Sequence, residues 1–120
     1  MSFMTTAAVP LWNDCTSTLV DINVEDLNIS VESVKANISK ATKAMIVVNY
    51  AGVPANIRGI REIFDGFILE DCAHSCYTEG AGLQGDAAVW SFQAVKTMPT
   101  GDGGMITTDN PELYEKLLQA

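Results

Sequence analysis

Three residues, Asp71, Ser91 and Lys96, have types and settings that could serve one small molecule. Asp71 follows the apolar run Phe67-Ile68-Leu69 and lies in the stretch EDCAH at 70–74. Ser91 ends a second apolar run. Lys96 stands five residues later, in SFQAVKTMPTGDGG at 91–104, ahead of a glycine-rich turn. A carboxylate keeps a nearby ring nitrogen protonated, a hydroxyl can meet phosphate oxygens, and an amine can condense with an aldehyde. Pyridoxal phosphate (PLP) asks its protein for those three groups. His74, three residues past Asp71, is placed to reach the ring's phenolic oxygen. Each residue also has an ordinary reading: a turn aspartate, a strand-end serine, a solvated lysine, a satisfied loop histidine. Their order and setting favour the chemistry.

The elements that must position these groups follow from the apolar pattern. Small apolar residues over 4–13 predict a helix interrupted or opened by Pro10. Residues 18–22 predict a short strand, and 31–38 a helix capped by Ser30. AMIVVNY at 44–50 is β-branched and predicts a buried strand. Ile57, Ile60, Ile63 and Phe64 recur at helical spacing within 55–65. FILE at 67–70, AAVWSF at 87–92 and GMITT at 104–108 predict further strands, and Pro111 opens a last helix. Strands alternating with helices imply an α/β fold with a mostly parallel sheet flanked by helices on both faces. The connection between 87–92 and 104–108 has no room for a crossover helix, so that pair includes either an antiparallel member or a wide loop between strands that are not neighbours. In open α/β sheets ligands gather beyond the carboxyl ends of the strands. Asp71 and Ser91 both stand there, and Lys96 lies on the loop that leaves the same rim.

The totals set the class. With 120 residues and 48% hydrophobic content the chain makes at most one small domain with a real core. A formal charge of −8 argues against nucleic acid and anionic membrane as partners, because their phosphates would be repelled. No apolar run approaches the roughly 20 residues of a membrane span. Cys15, Cys72 and Cys76 cannot all pair, and no secretory signal is evident, so a reducing cytoplasm is expected. Cys72 and Cys76 around His74 lack further ligands for zinc, and no metal site is expected. Gly80-Ala-Gly82-Leu-Gln-Gly85 spells a dinucleotide fingerprint, but it precedes a strand where that motif must follow one. The helical pattern PELYEKLLQA runs to the last residue without a stop signal, which reads as an internal piece of a longer protein.

Over essentially its whole length the chain resembles the DegT/DnrJ/EryC1/StrS family of PLP-dependent sugar aminotransferases. That family's Asp followed three later by Gln or His is similar to Asp71 and His74. Its Ser followed five later by the Schiff-base lysine, then a Gly-Glu/Asp-Gly-Gly turn, is similar to Ser91, Lys96 and Gly101-Asp102-Gly103-Gly104. Its Thr-aromatic pair, some eighteen residues before a strand-end Asp, resembles Ser2-Phe3 ahead of Asp21. The departures are Asp14, where the family usually has Gly after the first helix, and a shorter segment 75–85.

The resemblance implies a fragment of the PLP-binding large domain over 1–120, lacking an N-terminal Gly-Thr phosphate loop and a C-terminal small domain. It implies Lys96 as the catalytic Schiff-base lysine, with Asp71 on the ring nitrogen, Ser91 on the phosphate, His74 on the phenolic edge and Phe3 stacked on the ring. The implied reaction moves an amino group from glutamate or glutamine to a nucleotide-linked keto sugar, in a homodimer. A lysine at 96 argues against the family's dehydratase branch, which carries histidine there. Two other readings remain: a noncatalytic α/β fragment that self-associates through uncovered apolar surface, and a dinucleotide-binding oxidoreductase piece resting on the glycines alone.

Overall fold

The apolar runs become strands in the order in which they occur. In the computed structural model, which describes residues 2–120, β1 (Ala44–Val48), β2 (Phe67–Asp71), β3 (Ala87–Ser91) and β4 (Gly104–Thr107) form one sheet in that spatial order. β1, β2 and β3 are parallel, and β4 returns antiparallel to β3. The helixless connection after β3 explains the reversal: a parallel neighbour would need a crossover that this segment does not contain.

Four helices accompany the sheet: α1 (Met4–Trp12), α2 (Val31–Asn37), α3 (Ile57–Arg61) and α4 (Pro111–Leu117). Three begin on a polar side chain that satisfies an otherwise unpaired backbone N–H. Ser30 Oγ accepts from the Ser33 N–H, Asn56 Oδ1 from Gly59, and Asn110 Oδ1 from both Glu112 and Leu113. Pro10 sits in the last turn of α1, which Asn13 caps and Asp14 follows with φ +55. That left-handed conformation, open to Asp and Asn more than to other side chains, is the one that glycine usually supplies after a helix.

The core lies between α3 and one face of the sheet. Register pairs Val47 with Glu70 and Glu70 with Ala88, so Val47, Ile68, Glu70 and Ala88 share a face. Val47 and Ile68 pack with Ile57, Ile60 and Phe64 into the main cluster. Each of these aliphatic or aromatic side chains contributes roughly 1.5–3 kcal/mol by leaving water. A smaller cluster joins Cys72, Ala81 and Ala88 under Trp90. The two faces are unequally covered. Ile46, Val48, Leu69 and Val89, on the opposite face, are only half-buried, and α1 and α4 contain no buried residue.

Two elements differ from expectation. The strand expected over 18–22 is reduced to an isolated antiparallel bridge between Ile22 and Ile29. Its backbone finds local partners instead: the Asp21 N–H donates to Ser33 Oγ, and the Asp21 carbonyl accepts from Ser30. The helix expected over 55–65 regularises only from Ile57 to Arg61, because Asn56 caps it late and Asp65-Gly66 turns the chain into β2. Ile60, Phe64 and the half-buried Ile63 keep their places all the same.

Candidate functional site

Side chains alternate across a pleated strand, and this decides whether Asp71 and Ser91 can meet one ligand. Asp71 is opposite Val89, and Ser91 lies two residues beyond Val89 on the same strand. Asp71 and Ser91 therefore project from the same face, at the carboxyl ends of adjacent parallel strands. Strand spacing and rise alone set their Cα atoms about 8 Å apart. Both are half-buried.

Asp71 is oriented but not used up. Its Oδ1 accepts the Ala73 N–H at 3.0 Å in a local turn, while Oδ2 has no partner among the described residues. Ser91 Oγ lies 3.5 Å from the Gln93 N–H, which leaves its own O–H free to donate. His74 is exposed on the loop after β2. Its Nδ1 accepts from the Ala51 N–H at 3.4 Å, and its ring meets that of Tyr50 edge-on, with centroids 5.9 Å apart. Lys96 is half-buried on the turn that leaves β3, and it forms no salt bridge among the described residues. The turn is closed by its own backbone: Lys96 N–H to Gln93, Thr100 N–H to Phe92 and Phe92 N–H to Gly103. Gly101, at φ +96, makes the bend that an L side chain would resist. Phe3 precedes α1, is 77% exposed, and belongs to neither packed cluster.

Beneath the rim lies a buried polar knot that sequence reasoning missed. Glu70 is fully buried on the face opposite Asp71. Its Oε1 accepts from the backbone N–H groups of Gln84 and Gly85, both at 2.7 Å. Its Oε2 accepts from Gly82 N–H at 2.8 Å and Asn49 Nδ2 at 3.0 Å. Four donors satisfy a carboxylate that has no cation beside it. The irregular loop 72–86 is thus gathered onto the end of β2, and its glycines have a structural use. A Cβ on Gly82 would lie 2.4 Å from the Trp90 ring, at φ +75. With three loop N–H groups committed to Glu70, little remains to cradle a pyrophosphate, and the oxidoreductase reading loses its basis. The signal in the sequence was a charged residue at an inward position of an apolar strand.

Asn49 extends the knot. Its Oδ1 accepts from Ala55 N–H, its main-chain N–H donates to the Asp71 carbonyl, and its own carbonyl accepts from Ser75 Oγ. Asn49 Nδ2 also reaches Cys72 Sγ at 3.3 Å. Burial pushes the Cys72 thiol up to about 11, aided by the charges of Glu70 and Asp71 and opposed by the Asn49 contact. Cys72 is a packing residue, not a nucleophile. No cluster of His, Cys, Asp and Glu able to hold a metal occurs among the described residues.

The donor set fits pyridoxal phosphate: a carboxylate with a free oxygen, a hydroxyl two residues along the same face, an imidazole and an amine on one rim. Comparison with known proteins identifies the family. The model of the DegT/DnrJ/EryC1/StrS aminotransferase family matches residues 1–119. The spore coat polysaccharide biosynthesis protein SpsC of Bacillus subtilis is 35% identical over 98% of this chain and 32% of its own length. The aminotransferase from Psychrobacter cryohalolentis superposes with a TM-score of 0.90 at 30% identity, over 98% of this chain and 32% of that one. DesI, crystallised in the presence of its TDP-sugar product, gives a TM-score of 0.89 at 29% identity, over 98% and 32%. The chain spans about a third of the length of the curated relatives it matches.

Proposed function

This chain belongs to the DegT/DnrJ/EryC1/StrS aminotransferase family, and on that footing we propose that it forms the cofactor-holding rim of a PLP-dependent sugar aminotransferase. The amino group would come from glutamate or glutamine and go to a keto group on a nucleotide-linked sugar. The observation that carries the reading is the shared face of Asp71 and Ser91 at the ends of β2 and β3. PLP, when bound, supplies an electron sink for the pair released as a Cα–H bond breaks. The residues do the rest. The free Asp71 oxygen holds the ring nitrogen in its protonated form, and Ser91 donates to a phosphate oxygen. Lys96 would hold the cofactor through its amine, and the same amine, once released, would carry the proton. His74 meets the phenolic edge, and Phe3 would stack on the ring. A phosphate loop and a second domain outside residues 1–120, and a second subunit, would complete the site, in a cytoplasmic enzyme.

Adding PLP to the protein tests this. A visible absorbance band is expected that disappears in Lys96→Ala and weakens in Asp71→Asn. A band that survives Lys96→Ala unchanged would move the attachment to another lysine and end the assignment. With glutamate present, little sustained turnover is expected from residues 1–120 alone, because that proposed phosphate loop and second domain are missing from the site.

A second reading has one observation in its favour. Phe3, Met4, Leu11 and Trp12 expose more than half of their surface on and around a single helix. A noncatalytic chain that associates through this surface would scatter light as an oligomer and leave the PLP spectrum unchanged.

A further inference from the structure

The turn at Tyr50–Gly52 is held more firmly than its exposure suggests. Ala51 adopts φ +51, a left-handed conformation that non-glycine residues avoid. Asn28, fully buried, reaches it from the segment before α2. Asn28 Oδ1 accepts the Tyr50 N–H at 2.9 Å, and its Nδ2 donates to the Val53 carbonyl at 3.1 Å. Thr78 Oγ1 donates to the Gly52 carbonyl at 2.8 Å, tying the turn to the loop that carries His74. So anchored, the turn aims the Ala51 N–H at His74 Nδ1, 3.4 Å away, while the Tyr50 ring packs edge-on against the imidazole at 72°.

An N–H directed at Nδ1 requires a lone pair there. A neutral imidazole that accepts at Nδ1 carries its proton on Nε2. A proton on Nδ1 would set two N–H groups against each other. We propose that Asn28 and the Tyr50–Gly52 turn are positioning residues that fix His74 with its proton on Nε2, so that the imidazole presents a hydrogen-bond donor to an oxygen of the bound ligand. The role toward PLP, as donor to the phenolic oxygen of the ring, rests on the function proposed above; the tautomer does not. Nε2 has no hydrogen-bond partner among the described residues and is free for that use.

His74 is the only histidine, so its imidazole signals are unambiguous in protein labelled with nitrogen-15 histidine. Without cofactor and at alkaline pH, Nδ1 is expected at the limiting shift of an unprotonated nitrogen and Nε2 at that of a protonated one. Asn28→Ala, which frees the turn, should move both toward the averaged values of an exchanging imidazole. Should that variant fail to fold, amide exchange supplies the second readout. The Ala51 N–H, although on an exposed residue, should exchange slowly in the wild type and faster by about tenfold or more in His74→Phe, with the Tyr50 N–H unaffected. A proton on Nδ1, averaged shifts in the wild type, or Ala51 exchange unchanged by His74→Phe would each overturn the proposal. Neither readout needs PLP, so a failed absorbance test and a failed tautomer test are separate results.

Discussion

Glu70 and Asp71 are neighbours in the chain with opposite surroundings, and the pleat separates them. Asp71 turns to the open rim with one oxygen free, whereas Glu70 turns inward and meets four donors. A buried acceptor of this kind is costly to remove, because its donors lose their partner without regaining water. Glu70→Ala is expected to lower the unfolding free energy by roughly 3–5 kcal/mol in urea titrations. Glu70→Gln should recover only part of that, since its NH₂ group would face loop N–H groups. A loss below about 1 kcal/mol in the alanine variant would mean that the loop finds other partners. Asn49 belongs to the same unit, so its substitution and that of Glu70 should not be additive.

At the scale of elements, the end of the sheet away from the site has its own fastening. Asp86, just before β3, accepts from the Ile68 N–H of β2 at 2.7 Å and from Arg61 of α3 at 2.5 Å. Its carbonyl accepts from Thr108 Oγ1 after β4, so one residue joins a helix and three strands. Burial alone would raise the Asp86 carboxyl, but the Ile68 N–H and the Arg61 guanidinium outweigh it and hold the group below the ordinary 3.8. A carboxyl depressed in the folded state stabilises above its unfolded value, and that stabilisation fades as pH falls through the folded one. The stability difference between wild type and Asp86→Asn should therefore be constant near neutrality and shrink only below about pH 4. The pair is partly exposed, so added salt should reduce the difference as well. Loss of the difference already at pH 6 would assign it to another group.

For the whole molecule, the uneven covering of the sheet sets behaviour in solution. One face carries the core, and the other holds half-buried Ile46, Val48, Leu69 and Val89, with Ile106 about half exposed. Phe3, just before α1, and Met4, Leu11 and Trp12 on it are exposed as well, and contiguous apolar surface of this kind favours association. Sedimentation over a concentration series is expected to show species heavier than the 12.9 kDa chain, with association increasing in salt. A single monomeric boundary at every concentration would contradict it. The −8 charge opposes such contacts at low ionic strength, which gives the salt dependence its sign.

The sequence by itself determined the order of the four sheet strands and the helices and the residue types gathered at the rim, and it narrowed the last strand to two arrangements, of which the structure chose the antiparallel one. Those features depend on local quantities: apolar period, cap residues, the length of a connection and the spacing within SFQAVK. The strand expected at 18–22 failed for a related reason. Its apolar pattern was adequate, but Ser33 and Ser30 offered its backbone nearer partners than another strand could. Only the tertiary structure decided that Asp71 and Ser91 share a face, because that depends on the register between β2 and β3, and a slip of one residue would reverse it. Only the fold, likewise, showed that the glycines of 80–85 wrap a buried glutamate and that Ala51 addresses His74. A buried polar group must find its partner wherever the chain brings one, and the partners of Glu70 and His74 lie twelve or more residues away along it.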